Sequence, residues 1–342
     1  MPELKDSMGI AKAYYNKGVL LSGATLEELT SAKGLDELIL RLKGTVYSPY
    51  VSKLQPPYDS KSLELLFREH LVDLHHWLST KTGDEVLSTL YLKYLASDLK
   101  AVMKGKALGK GDEEILKNLD MHAEELAGRR DLIAKAVAAK GVEEAISTLK
   151  GSEFGDVVER AIESYRTTGK FYLIDLYLDH SLYERLNSAF KKDGRVRPFI
   201  AHEIDRYNVK VILRGKLWSM EESEIESLLV LPGFDLEADS LKAMVGMGLQ
   251  EAYDYLRSTP YAKIVPEGKA DESHIARLED GFDLLSYKYA NRCFVWEPFE
   301  PVVMIGIVKL KELEVRNLTT IAFGVEQGIP PDEIRRGLIL LG

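Results

Sequence analysis

The chain has 342 residues, 45% hydrophobic and 29% charged, which is the composition of a folded soluble protein with room for one large domain or two to three ordinary ones. A formal net charge of −9 argues against a nucleic-acid binder, which would present a basic face. One cysteine, Cys293, excludes an internal disulfide and suits a reducing cytosol; Met1 to Lys17 lacks a signal-peptide pattern, and the longest apolar run, residues 301–308, falls far short of the ~20 residues that span a bilayer.

In chain order, the 3.6-residue beat predicts helices at 25–43, 61–79, 84–104 and 112–127, and the same series recurs in two later copies. The stretch "GLDELILRLKGTVY" from Gly34 returns as "GVEEAISTLKGSEF" from Gly141 and "GLQEAYDYLRSTPY" from Gly248, both steps being 107 residues. Leu35, Leu38, Ile39 and Leu42 form one apolar stripe, repeated by Val142, Ala145, Ile146 and Leu149 and by Leu249, Ala252, Tyr253 and Leu256. Each opening glycine suits a helix N-cap. The glutamate three residues on (Glu37, Glu144, Glu251) suits a reach back to free backbone N–H groups. The closing "LKG" predicts a left-handed glycine at Gly44 and Gly151.

Next along each copy comes a weaker echo that pairs His70 with His180, which suggests a structural slot. A further signature, "SDLKAVMKG", "YNVKVILRG" and "RNLTTIAFG", aligns Asp98, Asn208 and Asn317, then Gly105, Gly215 and Gly324. Ten residues past each glycine stand Ile115, Ile225 and Ile334, each opening a following helix with an acidic first turn that complements the helix dipole. Strand-like alternation is scarce, so the fold class is all-α. The repeat is too long for a solenoid unit and long enough for a small domain, which predicts helical repeats at 1–127, 128–234 and 235–342, packed as a row or about a pseudo-threefold axis.

No catalytic constellation emerges. "GKALGKGD" at 105–112 lacks phosphate-loop spacing, and its two counterparts have no such look. "HEIDR" puts Arg206 where a zinc-protease helix needs a second histidine; His75 and His76 are adjacent and point to different sides. Cys293 lies beside Arg292 without a partner acid or base. Glu37, Glu144 and Glu251 are better explained as caps than as catalytic acids. No cofactor, metal or catalytic residue is expected.

The segment "KELEVRNLTTIAFGVEQGIPPDEIRRGLI", Lys311 to Ile339, strongly resembles the C-terminal end of the C subunits of A/V-type ATP synthases, the counterparts of the d subunits in vacuolar ATPases. Glu312, Arg316, Asn317 and Leu318 carry the most specific part. "EIDRYNVKVILRGK" from Glu203 and "LKGTVYSPYV" from Leu42 extend the likeness to all three copies, while the N-terminal "YYNKGVLLSGA" matches less well. The resemblance implies an all-helical, funnel-shaped, non-catalytic subunit of three similar domains, one copy per complex. Such a subunit sits peripherally on the cytoplasmic side of the cell membrane, on the proteolipid ring, and receives the central-stalk shaft, made of the D and F subunits. It thereby couples shaft rotation to proton or sodium transport. Arg206, Asn208, Arg214, Arg316 and Asn317 are the expected partner-binding or helix-bracing residues. Two other readings share the repeat: a helical scaffold for an unrelated protein partner, and an all-α enzyme with its site hidden between domains.

Overall fold

The computed structural model describes residues 4–192 and 197–341, with side chains described outside 190–201. Among the described residues every regular element is helical. The first copy runs α1 (Leu4–Gly18), α2 (Gly23–Leu29), α3 (Leu35–Leu42), α4 (Ser48–Val51), α5 (Ser60–Thr82), α6 (Glu85–Ala107), α7 (Asp112–Leu116) and α8 (His122–Leu126). The second runs α9 (Arg130–Ala138), α10 (Val142–Ser147), α11 (Val158–Thr168), α12 (Tyr172–Lys192), α13 (Arg197–Leu217) and α14 (Glu222–Ser227). The third runs α15 (Ala238–Gly246), α16 (Leu249–Tyr255), α17 (Glu272–Trp296), α18 (Val302–Glu326) and α19 (Pro331–Arg336).

The long helices fall where periodicity puts them, but two expected helices are each divided. The expected 25–43 helix is split into α2 and α3 because Gly34 is fully extended and restarts the chain as an N-cap. The expected 112–127 helix is split into α7 and α8, with Asp120 between them turning its backbone N–H toward Asp98.

The copies share more than pattern. Gly34, Gly141 and Gly248 are all N-caps. The glutamates reach back as expected: Glu37 accepts from the N–H of Lys33 at 3.1 Å, Glu144 from Lys140 at 2.9 Å and Glu251 from Gly248 at 3.4 Å. The expected left-handed glycine is absent at Gly44 and Gly151. A hydroxyl does its work. Thr45, Ser152 and Thr259 each donate to the leucine carbonyl three residues back, at 2.7, 2.9 and 2.7 Å. Each also accepts the N–H of the aromatic residue two positions on, Tyr47, Phe154 or Tyr261. The same leucine carbonyl also accepts the backbone N–H of that Thr or Ser, at 3.0, 2.9 and 3.2 Å, so the helix end is satisfied without a left-handed residue.

The left-handed turn lies instead at the end of the second signature, where Gly109, Ser219 and Gly328 have φ of 68°, 56° and 65°. The N–H of the following residue bonds back to the carbonyls of Gly105, Gly215 and Gly324 at 2.9, 2.9 and 2.8 Å, closing a Schellman turn. The ten-residue spacing to isoleucine has a steric cause. A Cβ on Gly105, Gly215 or Gly324 would stand 2.6, 2.8 or 2.6 Å from Cγ1 of Ile115, Ile225 or Ile334, so each bare glycine lets the next short helix close on the long one.

Two compact units result, one from the chain up to Leu87 together with Tyr287 onward, the other from Ser88–Ser286. In the first, α18 packs on α1, α2, α3 and α5. Its N-terminal half, the long apolar run of the sequence, is buried on all sides, from Val302 through Val308. In the second unit α13 packs on α15 and α16, while α9 packs on α7 and α8. The short helices at the head of each copy therefore seat on the tail of the copy before, and the first head seats on the third tail.

Candidate functional site: polar braces on the long helices

Arg206, Asn208 and Arg214 lie on α13 in the second unit, and Arg316 and Asn317 on α18 in the first. The two asparagines have a fully visible task. Asn208 donates to the Val230 carbonyl at 3.0 Å and accepts the Val230 N–H at 2.9 Å; Asn317 makes the same pair with Ile339, at 2.9 and 3.0 Å. Both amides are buried. In the first copy Asp98 takes the N–H of Asp120, again 22 residues on, at 3.3 Å. An Asn side chain offers one donor and one acceptor sector, which is what an unpaired peptide group needs. Each amide thus ties its long helix to the segment that follows the next short helix.

The arginines of α13 belong to a charged seam. Glu203, Arg206, Lys210 and Arg214 are spaced three, four and four residues apart, which aligns them on one face of the helix. Arg214 grips Glu279 of α17 through both nitrogens of its fork, at 2.8 and 3.0 Å. Arg206 reaches Asp283 at 3.2 Å and Glu203 at 3.8 Å, and Ser286 donates to Glu203 at 3.1 Å. Lys210 meets Asp179 of α12 at 3.2 Å, where Lys100 of α6 is a second partner.

Charge states follow from these neighbours. Burial works against ionisation of Asp179, yet Lys100 and Lys210 hold its carboxyl below the ordinary range. One turn earlier Asp175 is pushed up to about 6 by burial; Lys100 draws it down and Asp179 pushes it further up. Hydrogen bonding to Glu279 raises Arg214, and Asp283 and Glu203 raise Arg206 against the cost of its burial.

Sequence reading missed Lys100, Asp179, Lys210, Glu279 and Asp283. Spacing was the available signal: acids four apart on α12 and α17 match cations on α13, and only the packing shows that the stripes meet. Arg316 is partly exposed on α18, and its carbonyl accepts the Thr320 hydroxyl at 3.0 Å. Cys293 is buried, and its thiol is pushed up to about 12 by burial and by Glu297, which disfavours the nucleophilic thiolate. Among the described residues no group of three or more His, Cys, Asp or Glu is placed to hold a metal, and no helix is long and apolar enough to cross a membrane.

Buried amide bonds and a charged seam between long helices mark an all-helical protein whose polar side chains join helix to helix. The chain belongs to the ATP synthase (C/AC39) subunit family, whose model matches residues 9–337. It is 27% identical over 340 residues to the A-type ATP synthase C subunit of Methanocaldococcus jannaschii, covering 94% of this chain and 83% of that one. The corresponding subunits of Methanosphaera stadtmanae and Pyrococcus abyssi are 26% and 25% identical, over 94% and 92% of this chain and 84% and 85% of theirs.

Proposed function

We propose that this chain is the non-catalytic central-stalk subunit of an A/V-type ATP synthase. On this reading it is a socket that receives the shaft, built of the D and F subunits, rests on the proteolipid ring at the cytoplasmic face of the cell membrane, and serves as one copy per complex. Three modules, at 1–127, 128–234 and 235–342, would present similar faces to one axial rod. The observation that carries the reading is the family match across residues 9–337, which spans all three modules rather than one.

The braces support it physically. A part that transmits torque must not yield between its helices, and bidentate, partly buried pairs such as Arg214–Glu279 resist sliding better than apolar contacts, which are non-directional. Interfaces with charged rims also set register and speed association. The test is to mix the purified chain with the D and F subunits and measure the mass of the product. A one-to-one-to-one complex supports the socket; separate elution at micromolar concentrations removes it. Arg316→Ala then asks whether that side chain meets the shaft. Weakened binding at unchanged stability assigns it to the interface, and unchanged binding at lowered stability assigns it to bracing.

A further inference from the structure

The joints between heads and tails differ at one matched place. Three and six residues before each brace stand Glu314 and Lys311 on α18, Asp205 and His202 on α13, and Leu95 and Leu92 on α6. The aromatic that closes each head signature is Tyr47, Tyr261 or Phe154, and all three rings are buried at 0–1% exposure. Tyr47 donates its hydroxyl to Glu314 at 2.7 Å, and Lys311 pairs with that carboxylate while standing 4.6 Å from the centre of the Tyr47 ring. Tyr261 donates to Asp205 at 2.8 Å, and His202 lies edge-on to it at 6.0 Å with Nδ1 at 3.4 Å from the hydroxyl. The remaining head carries phenylalanine, and the matched positions of α6 carry two leucines, Leu92 at 8% and Leu95 at 0% exposure. Where the ring has a hydroxyl the tail has an acid; where it has none the tail is apolar.

We propose that these are keyed joints, in which Lys311–Glu314 accepts Tyr47, His202–Asp205 accepts Tyr261 and Leu92–Leu95 accepts Phe154, so that each head seats on its own tail. Three similar heads and three similar tails otherwise invite wrong pairing, within one chain or with a second copy of it. Tyrosine on the leucine pair buries a hydroxyl without an acceptor. Phenylalanine on either acid removes one donor from a buried carboxylate. Each such mismatch disfavours the wrong seat by roughly 5- to 150-fold. The acids are further told apart by length and by local bonds. Asp205 also takes the N–H groups of Phe234, Asp235 and Leu236, whereas Glu314 takes that of Leu21.

The keys stand whether or not the chain binds a shaft. The test transplants one key in the full-length protein with Phe154→Tyr, with Leu92→Lys plus Leu95→Glu, and with all three together. Urea melts should show each partial variant at least about fivefold down in the folding equilibrium, and the triple variant recovering at least tenfold over the sum of its parts. Additive losses would overturn the keyed joint. The triple variant now has two interchangeable joints, so refolding at rising protein concentration should give dimers and larger species that the parent does not form. A single parent-like species at every concentration would overturn the selective role. If the triple variant does not fold, a cycle of Tyr47→Phe and Glu314→Gln reads the native key directly, and additivity there is equally fatal.

Discussion

Replacing Asn208 by aspartate changes one atom group in a site where the structure leaves no slack. The side chain is fully buried, with its amide nitrogen 3.0 Å from the Val230 carbonyl and its oxygen 2.9 Å from the Val230 N–H. Aspartate keeps the acceptor but sets a carboxylate oxygen against the carbonyl, losing one hydrogen bond and burying a charge. Losing one partner of a buried pair costs about 1–3 kcal/mol, more when a charge is stranded, so a loss of about 2–4 kcal/mol at pH 8 is expected. Burial disfavours the ionised form and lifts the folded-state pKa above the ~3.9 of an unfolded aspartate. Stability from that protonated form is fully present below pH ~4 and is lost as pH rises through the folded value. Urea melts of variant and parent at pH 5 and pH 8 should therefore differ least at pH 5. Asn208→Ala, which loses both bonds and gains no charge, should show a deficit independent of pH. An aspartate variant as stable as the parent at pH 8, or with equal deficits at both pH values, would refute the brace.

Three further outcomes follow from the repeats and the buried acids. Ser219 occupies the left-handed position that glycine fills in the other two copies, so Ser219→Gly should stabilise the protein by about 1 kcal/mol in a thermal melt. Gly215→Ala drives a methyl to 2.8 Å from Ile225 Cγ1 and should cost about 1–3 kcal/mol in a thermal melt, and Gly215→Ala with Ile225→Ala, which removes that atom, should cost less than the two single losses summed. Glu124 is fully buried beside Arg129 at 3.2 Å, and burial pushes its carboxyl up to about 7, with Arg129 drawing it down and Glu153 pushing it up. Its contribution is present below pH ~4.5 and fades as pH rises through about 7, so Glu124→Gln should gain most on the parent above pH 7, as read by pH-resolved urea melts.

The helical class and the head caps were legible in the sequence because each rests on local spacing. A glycine followed three residues on by glutamate needs only its own turn to become a cap, and a 3.6-residue stripe declares its face wherever it packs. The ten-residue Gly–Ile spacing was equally plain, though its meaning, a methyl-sized gap closed by isoleucine, was not. The left-handed glycines expected at Gly44 and Gly151 failed because Thr45 and Ser152 close the helix end with both backbone N–H and hydroxyl on one carbonyl, an alternative that sequence spacing does not rank.

What only the tertiary structure decided is which residues meet across the chain. Tyr47 and Glu314 are 267 residues apart, and nothing local ties a phenol to an acid at that distance; contact exists because α18 returns to the first head. The same holds for Arg214 and Glu279, and for the 22-residue bridge from Asn208 to Val230. Short-range order follows from chain geometry and is written in neighbouring residues. Pairing among similar heads and tails is a choice between near-equal partners, and buried hydroxyls and carboxylates, costly when mismatched, make that choice.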